Sequence, residues 1–333
     1  MSHAAISAEQ ASTIVKGIFP GADLAACAPV PGEHRAQLYA LTLSDGSEMV
    51  LKVYTLGDAS PARREVHLLR TITAETGVPV PRLLGYGDRV PWEPATAEET
   101  RHWALLSRLP GTPLLQKMGQ LEDAELEGVA YELGRYLAHL HQVPVELFGG
   151  LLEPGAHAHV REQAYVLSQA GEWLQECVDQ GLLTRDGAAG LWDRFEQAAA
   201  LDRQQPCLIH ADLSTRQVIV EPGTSGHHVT GLVGWALSQG GSPEQDIAGL
   251  FAWDFHPQSA ARKGVLDGYT ESAALPPHFW QRLELYEVFV SLHALLTAHR
   301  KRDTRLQRLA AERVSTGGVV GGGAGNSEDA PCV

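Results

Sequence analysis

Pro206–Trp235 reads P-C-L-I-H-A-D-L-S-T-R-Q-V-I-V-E-P-G-T-S-G-H-H-V-T-G-L-V-G-W. An apolar run ends at His210, and a polar loop containing Asp212 follows it. Two short apolar strands come next, Val218 to Val220 and Val229 to Val233, joined by a turn rich in Gly, Ser and Pro. The rest of the chain is read outward from this loop and hairpin.

The length of 333 residues exceeds what one core fills, since single cores stop growing near ~250 to 300 residues. Two lobes sharing a cleft suit it better. A hydrophobic content of 44% and a charged content of 20% are those of an ordinary globular protein. No window approaches the ~18 to 20 apolar residues of a membrane span, and the first thirty residues lack a signal peptide's basic start and apolar core. A cytoplasmic protein is expected. Cys27, Cys177, Cys207 and Cys332 are scattered, with no C-x-x-C pair, so neither a disulfide framework nor a zinc site is indicated. A formal net charge of -14 argues against nucleic acid as a partner. It is compatible with a cationic acceptor, with solubility as the plainer reading.

Before the loop, residues 7 to 19 pattern as a short amphipathic helix capped by Ser7. A meander follows over Cys27–Val30, Ala36–Leu43 and Glu48–Thr55, with Pro31-Gly32 and Asp45-Gly46 as its turns. Lys52 in V-L-K-V-Y points with Val50 and Tyr54. Taken alone it reads as an exposed lysine on an edge face. Ser60-Pro61 then opens a helix with Val66, Leu69 and Ile72 as its apolar stripe and Glu65 in its early turns. After V-P-V-P-R-L-L-G-Y-G, Trp103–Leu109 reads as a strand, and Glu122–Gln142 as a well-patterned helix ending L-G-R-Y-L-A-H-L-H-Q-V. His139 and His141, two apart on that helix, fall on different faces, which favours structural roles. Two more helices occupy residues 157 to 202, where Glu162, Glu172, Glu176 and Asp179 either face a cationic acceptor or form a solvated face. Past the hairpin come Asp246-Ile247-Ala248 and a helical remainder to about Val314; Ser315–Val333 has no packable face and reads as a disordered tail.

These motifs resemble the aminoglycoside phosphotransferase family, the small-molecule branch of the protein-kinase-like fold. Its catalytic loop reads H-G-D-x-x-x-x-N and its second hairpin strand ends in I-D-W; here His210, Asp212 and Trp235 fit, Gln217 stands for the Asn, and Gly234 for the metal-holding Asp. The L-A-H-L-H helix end resembles the family's L-A-x-L-H. The Asp246 triplet, twelve residues beyond Gly234, resembles the family's loop-buttressing aspartate. Lys52 and Glu65 match in order and spacing its phosphate-pairing lysine and the glutamate that holds it. The resemblance spans roughly residues 20 to 300.

The resemblance implies an α+β, two-lobed protein-kinase-like fold: a small antiparallel-sheet N-lobe with one main helix over 1–109, a larger, mostly helical C-lobe over 110–314, and the tail over 315–333. It implies ATP or GTP bound by Lys52 and Glu65, by the phosphate turn at Gly32, and by the interlobe hinge at Ser107 and Leu109. Asp212 would be the catalytic carboxylate, with His210 and Asp246 supporting the loop. Mg²⁺ would find an amide oxygen on Gln217 and nothing on Gly234. Three readings stay open: a phosphotransferase moving a γ-phosphate to a hydroxyl of a small molecule or peptide, a pseudokinase acting as a binding or partner-activating module, and a metal-independent enzyme reusing the cleft.

Overall fold

A computed structural model describes residues 5–30, 36–54, 60–92, 101–151, 158–198, 205–224, 226–255 and 259–316. Helix α1 (Ala8–Ile18) starts where Ser7 and Gln10 cap each other, the Ser7 hydroxyl accepting from the Gln10 amide and the Gln10 side chain accepting from the Ser7 amide. Strands β1 (Leu24–Val30), β2 (Ala36–Leu43) and β3 (Glu48–Tyr54), helix α2 (Ser60–Glu75), and strands β4 (Leu83–Gly87) and β5 (Trp103–Ser107) follow. They form one five-stranded antiparallel sheet in the order β1-β2-β3-β5-β4.

Alternation along the strands sorts the side chains onto two faces. Tyr39, Leu41, Leu51, Val53 and Leu105 pack against Ile14 and Val15 of α1. Tyr54, Ala104 and Leu106 pack on the other face with Val66, Leu69 and Ile72 of α2. Lys52 belongs to this second face. Its strand pairs with β2 on one side and β5 on the other, so the reading of an exposed edge lysine is overturned: Lys52 is 1% exposed.

The remainder is mainly helical. Strand β6 (Thr112–Pro113) and a 3-10 turn at Leu114–Gln116 lead to α3 (Asp123–Leu140), α4 (Glu162–Asp179) and α5 (Arg185–Glu196). The loop stretch supplies β7 (Cys207–Ile209), β8 (Val218–Gly223) and β9 (Gly226–Leu232), followed by a 3-10 turn at Trp235–Leu237 and β10 (Gln239–Gly241). Helix α6 (Pro243–Gly249), a π-helical turn at Leu250–Asp254, α7 (Ser259–Ser272), α8 (Phe279–Lys301) and α9 (Thr304–Thr316) complete the order. Two small sheets, β6-β8-β9 and β10-β7, frame the loop between β7 and β8. Helices α3 and α7 approach closely because Gly134, Gly264 and Gly268 lie at the contact; a Cβ on Gly268 would overlap the Tyr131 carbonyl.

Some expectations need adjusting. The strand expected to reach Leu109 stops at Ser107, and Leu109 instead packs over Gly231 of β9. Helix α9 runs through Ser315 and Thr316, the first two residues of the expected disordered tail. The rest of that tail lies outside the described residues, as does the phosphate turn at Gly32. Among the described residues no helix is long and apolar enough to cross a membrane.

Candidate active site

The loop after β7 is held from below by one carboxylate. Asp246, on α6, accepts from the His210 amide and the Ala211 amide, each at 2.8 Å, and lies 3.2 Å from His141 Nε2 on α3. Burial alone would raise its carboxyl; the His141 hydrogen bond, and the charges of His141 and His210 with the His210 amide, outweigh that and hold it below its ordinary value. His210 is buried, tilted against the Trp235 ring at 4.6 Å, and its Nε2 donates to the Val233 carbonyl at 2.9 Å. That bond ties the loop to the end of β9. Ala211 adopts φ +64°, so the chain reverses there and Asp212 stands exposed at the turn. Farther along, Asp254 receives both the amide and the hydroxyl of Thr215 at 2.9 Å each.

One of these supports, Asp254, goes unseen in the sequence, and so does the specific task of His141. Asp254 lies eight residues after Asp246, a helical spacing that could have flagged it, but its partner Thr215 is distant in sequence. His141 was placed as structural, and its structural task is now specific: it orients Asp246.

Lys52 Nζ meets Glu65 Oε2 at 2.6 Å, with both side chains buried. The Tyr54 hydroxyl donates to the same oxygen at 2.9 Å. Tyr54 was the missing member, legible only in that it shares a strand face with Lys52. Helix α2, which carries Glu65, also packs against the Trp235–Leu237 turn. The lysine pair and the Asp212 loop therefore belong to one connected frame. At the expected hinge, the Ser107 amide donates to the Arg82 carbonyl at 2.9 Å and its hydroxyl accepts from the Arg82 amide at 2.9 Å.

Gly234 adopts φ +88°, and a Cβ there would lie 3.0 Å from Gln217 Cγ, with Gln217 Nε2 also in contact at 3.9 Å. The Gln217 side chain thus stands over the position that would carry a metal ligand. Its carbonyl oxygen accepts from the Ser214 hydroxyl, and its backbone carbonyl accepts from the Val233 amide at 3.0 Å. Other acids in this part of the sequence have partners: Glu221 has His228 at 3.3 Å, Glu244 has Arg282 at 2.8 Å, Asp246 the loop amides and Asp254 Thr215. Among the described residues no group of three or more His, Cys, Asp or Glu could hold a metal ion. The Mg²⁺ that the resemblance implies does not fit this donor set, because hard oxygen ligands are what it requires and one exposed carboxylate, Asp212, is what remains.

The acidic helix face expected in α4 is largely committed elsewhere. Glu162 is fully buried and receives Arg282 at 2.5 Å, together with the Tyr286 hydroxyl at 2.8 Å. Glu176 pairs with Arg300 at 2.6 Å, and Asp179 accepts from Gln175 at 2.8 Å. The same region places His293 of α8 beside Trp173 of α4, ring centres 5.1 Å apart. His293 is exposed at its surface; the protein around it lowers its pKa, and the Asp212 charge acts in the opposite direction.

An antiparallel sheet with a buried lysine–glutamate pair, joined to a carboxylate-clamped loop within a mainly helical remainder, is a protein-kinase-like arrangement. The chain belongs to the APH family, described as the phosphotransferase enzyme family, whose model matches residues 26–310. Solved structures with the same fold include the GDP and kanamycin complex of APH(2")-IIIa, with a TM-score of 0.64 and 18% identity over 92% of this chain and 97% of that one. The gentamicin complex of APH(2")-IIa has a TM-score of 0.67 and 16% identity over 96% of this chain and 100% of that one. A thermostable mutant of APH(4)-Ia in ternary complex with ADP and hygromycin B has a TM-score of 0.66 and 15% identity, covering 92% and 96%.

Proposed function

We propose that this chain is a phosphotransferase that takes the γ-phosphate of ATP or GTP to a hydroxyl of a small molecule, within a frame made of an N-lobe over 1–109 and a C-lobe over 110–314. The observation that carries this reading is the clamp of Asp246 on the His210 and Ala211 amides, which holds Asp212 exposed at a fixed turn. In the proposed chemistry Asp212 accepts the proton of the attacking hydroxyl, and Lys52, oriented by Glu65 and Tyr54, neutralises phosphate charge. His210 supports the loop, and backbone groups near Ser107 and Leu109 would meet the base. Nucleotide binding is supported by the family and by neighbours solved with GDP or ADP. Those neighbours also hold aminoglycosides, which makes amine-bearing sugars the first acceptors to try. Because Glu162, Glu176 and Asp179 are committed to partners in this chain, we place the acceptor against Asp212, His293 and Trp173 rather than on an acidic helix face. Cys27, Cys177 and Cys207 are free thiols, which fits a reducing cytoplasm.

A second reading, a pseudokinase that binds without transferring, is favoured by one observation: Gln217 stands over Gly234 where a metal-holding carboxylate would be needed. Transfer from γ-labelled ATP and GTP to a panel of hydroxyl acceptors separates the two. The expected result is turnover that Asp212→Asn lowers by about 10²- to 10⁴-fold while nucleotide affinity stays unchanged. Nucleotide binding without turnover to any acceptor would replace the first reading by the second.

A further inference from the structure

We infer that the nucleotide phosphates in this cleft are held without a divalent cation, with the Gln217 carboxamide occupying the metal's place as a hydrogen-bond donor. The inference rests on the proposal that the cleft binds a nucleoside triphosphate. It follows from how Gln217 is held. The Ser214 hydroxyl donates to its carbonyl oxygen, which fixes the carboxamide's orientation. Of the two terminal atoms, Nε2 is the one near the Gly234 side, 3.9 Å from where a Cβ at that position would be. A metal site there would present oxygens to a cation. This site presents N–H groups, which suit an anion.

The backbone at Gly234 adds to this. Its φ of +88° costs glycine nothing and most other residues a good deal, so the position is shaped for an absent side chain, and the Gln217 methylenes fill the space. The remaining exposed carboxylate, Asp212, cannot serve as both metal ligand and acceptor of the hydroxyl proton. A ligand with its own negative charges therefore meets Lys52 on the α2 side and an amide donor on the β9 side, and among the described residues no cluster of three or more acids, histidines or cysteines is there to recruit Mg²⁺.

The test is calorimetric titration of ATP into the full chain, once with EDTA and once with MgCl₂. The expected result is binding in both, with dissociation constants agreeing within about threefold. Mg²⁺ tightening ATP binding by about tenfold or more would overturn the inference while leaving nucleotide binding intact. No binding in either condition would overturn the nucleotide reading itself, and the inference with it. Gln217→Ala should weaken binding in EDTA severalfold, and unchanged affinity in a folded variant would count against the donor role. The paired variant Gly234→Asp with Gln217→Asn should gain the Mg²⁺ dependence that Gly234→Asp alone does not, because in the single variant Gln217 still occupies the space. Circular dichroism establishes that each variant is folded.

Discussion

Ala211 sits at φ +64°, in a region that costs an L-residue with a Cβ roughly 1 to 2 kcal/mol. The turn persists because Asp246 fixes the N–H groups on both sides of His210, its own and that of Ala211. Ala211→Gly should relieve that strain, less the backbone entropy that glycine adds to the unfolded chain, for a net gain of about 0.5 to 1 kcal/mol in urea unfolding. Asp246 carries a pH dependence with a definite sign. Its folded pKa is lowered, so its contribution is present above the unfolded value near 3.8 and fades as the pH falls through the folded one. Asp246→Asn leaves one loop amide without its charged acceptor and should cost about 2 to 3 kcal/mol at neutral pH. Unfolding curves of the two proteins taken from pH 7 down to pH 3 should draw closer below about pH 4; a constant gap would show that the charge is not what matters.

At the scale of elements, the α3–α7 contact depends on small residues placed where one backbone meets another. Gly268→Ala puts a methyl group into the Tyr131 carbonyl, and Gly264 and Gly134 leave neither helix room to shift cheaply. A loss of about 1 to 3 kcal/mol is expected from thermal or urea unfolding, against a gain of about 0.5 to 1 kcal/mol for the same change at Gly128, an exposed position inside α3 where nothing lies within 4 Å of a Cβ. This contact also explains what the sequence hid. The periodic leucines of α3 made that helix plain, whereas the glycines of α7 reduced its pattern to part of an undivided helical remainder. Strand β10, Q-G-G, carried no strand signal at all, since Gly240 lets the backbone lie against the Leu147 carbonyl and Gly241 makes room for the Ile209 side chain.

For the molecule as a whole, Arg282 gathers α4, α6 and α8 into one body. It donates to Glu244 and Glu162 and to Ser242, all buried. Burial alone would lower its pKa, but the two carboxylates raise it, so it stays charged. Arg282→Met would strand two carboxylates in the core and should cost about 3 to 5 kcal/mol, read as a fall in urea midpoint. The fold and its loop were legible because local motifs announce them: H-A-D, the Lys52 and Glu65 spacing, and the Asp246 triplet. The Arg282 network was not, because its members lie 38 to 120 residues apart and burial is invisible in a list of charges. Glu162 therefore reads in the sequence as a surface acid, on a solvated face or facing an acceptor, whereas it is buried. Gln217 was legible as a substitution, but its lean over Gly234 depends on a dihedral angle that no residue type states.

Helix α1 lies before the family-matched span of 26–310, yet Ile14 and Val15 cover Tyr39, Leu41, Leu51, Val53 and Leu105, and the Ile6 amide donates to the Tyr39 hydroxyl at 2.9 Å. The folding unit is therefore larger than the span the family model matches. A protein trimmed to the matched residues would keep every group discussed for chemistry and still bare one whole apolar face of its sheet, an adhesive surface whose first partner would be another copy of itself.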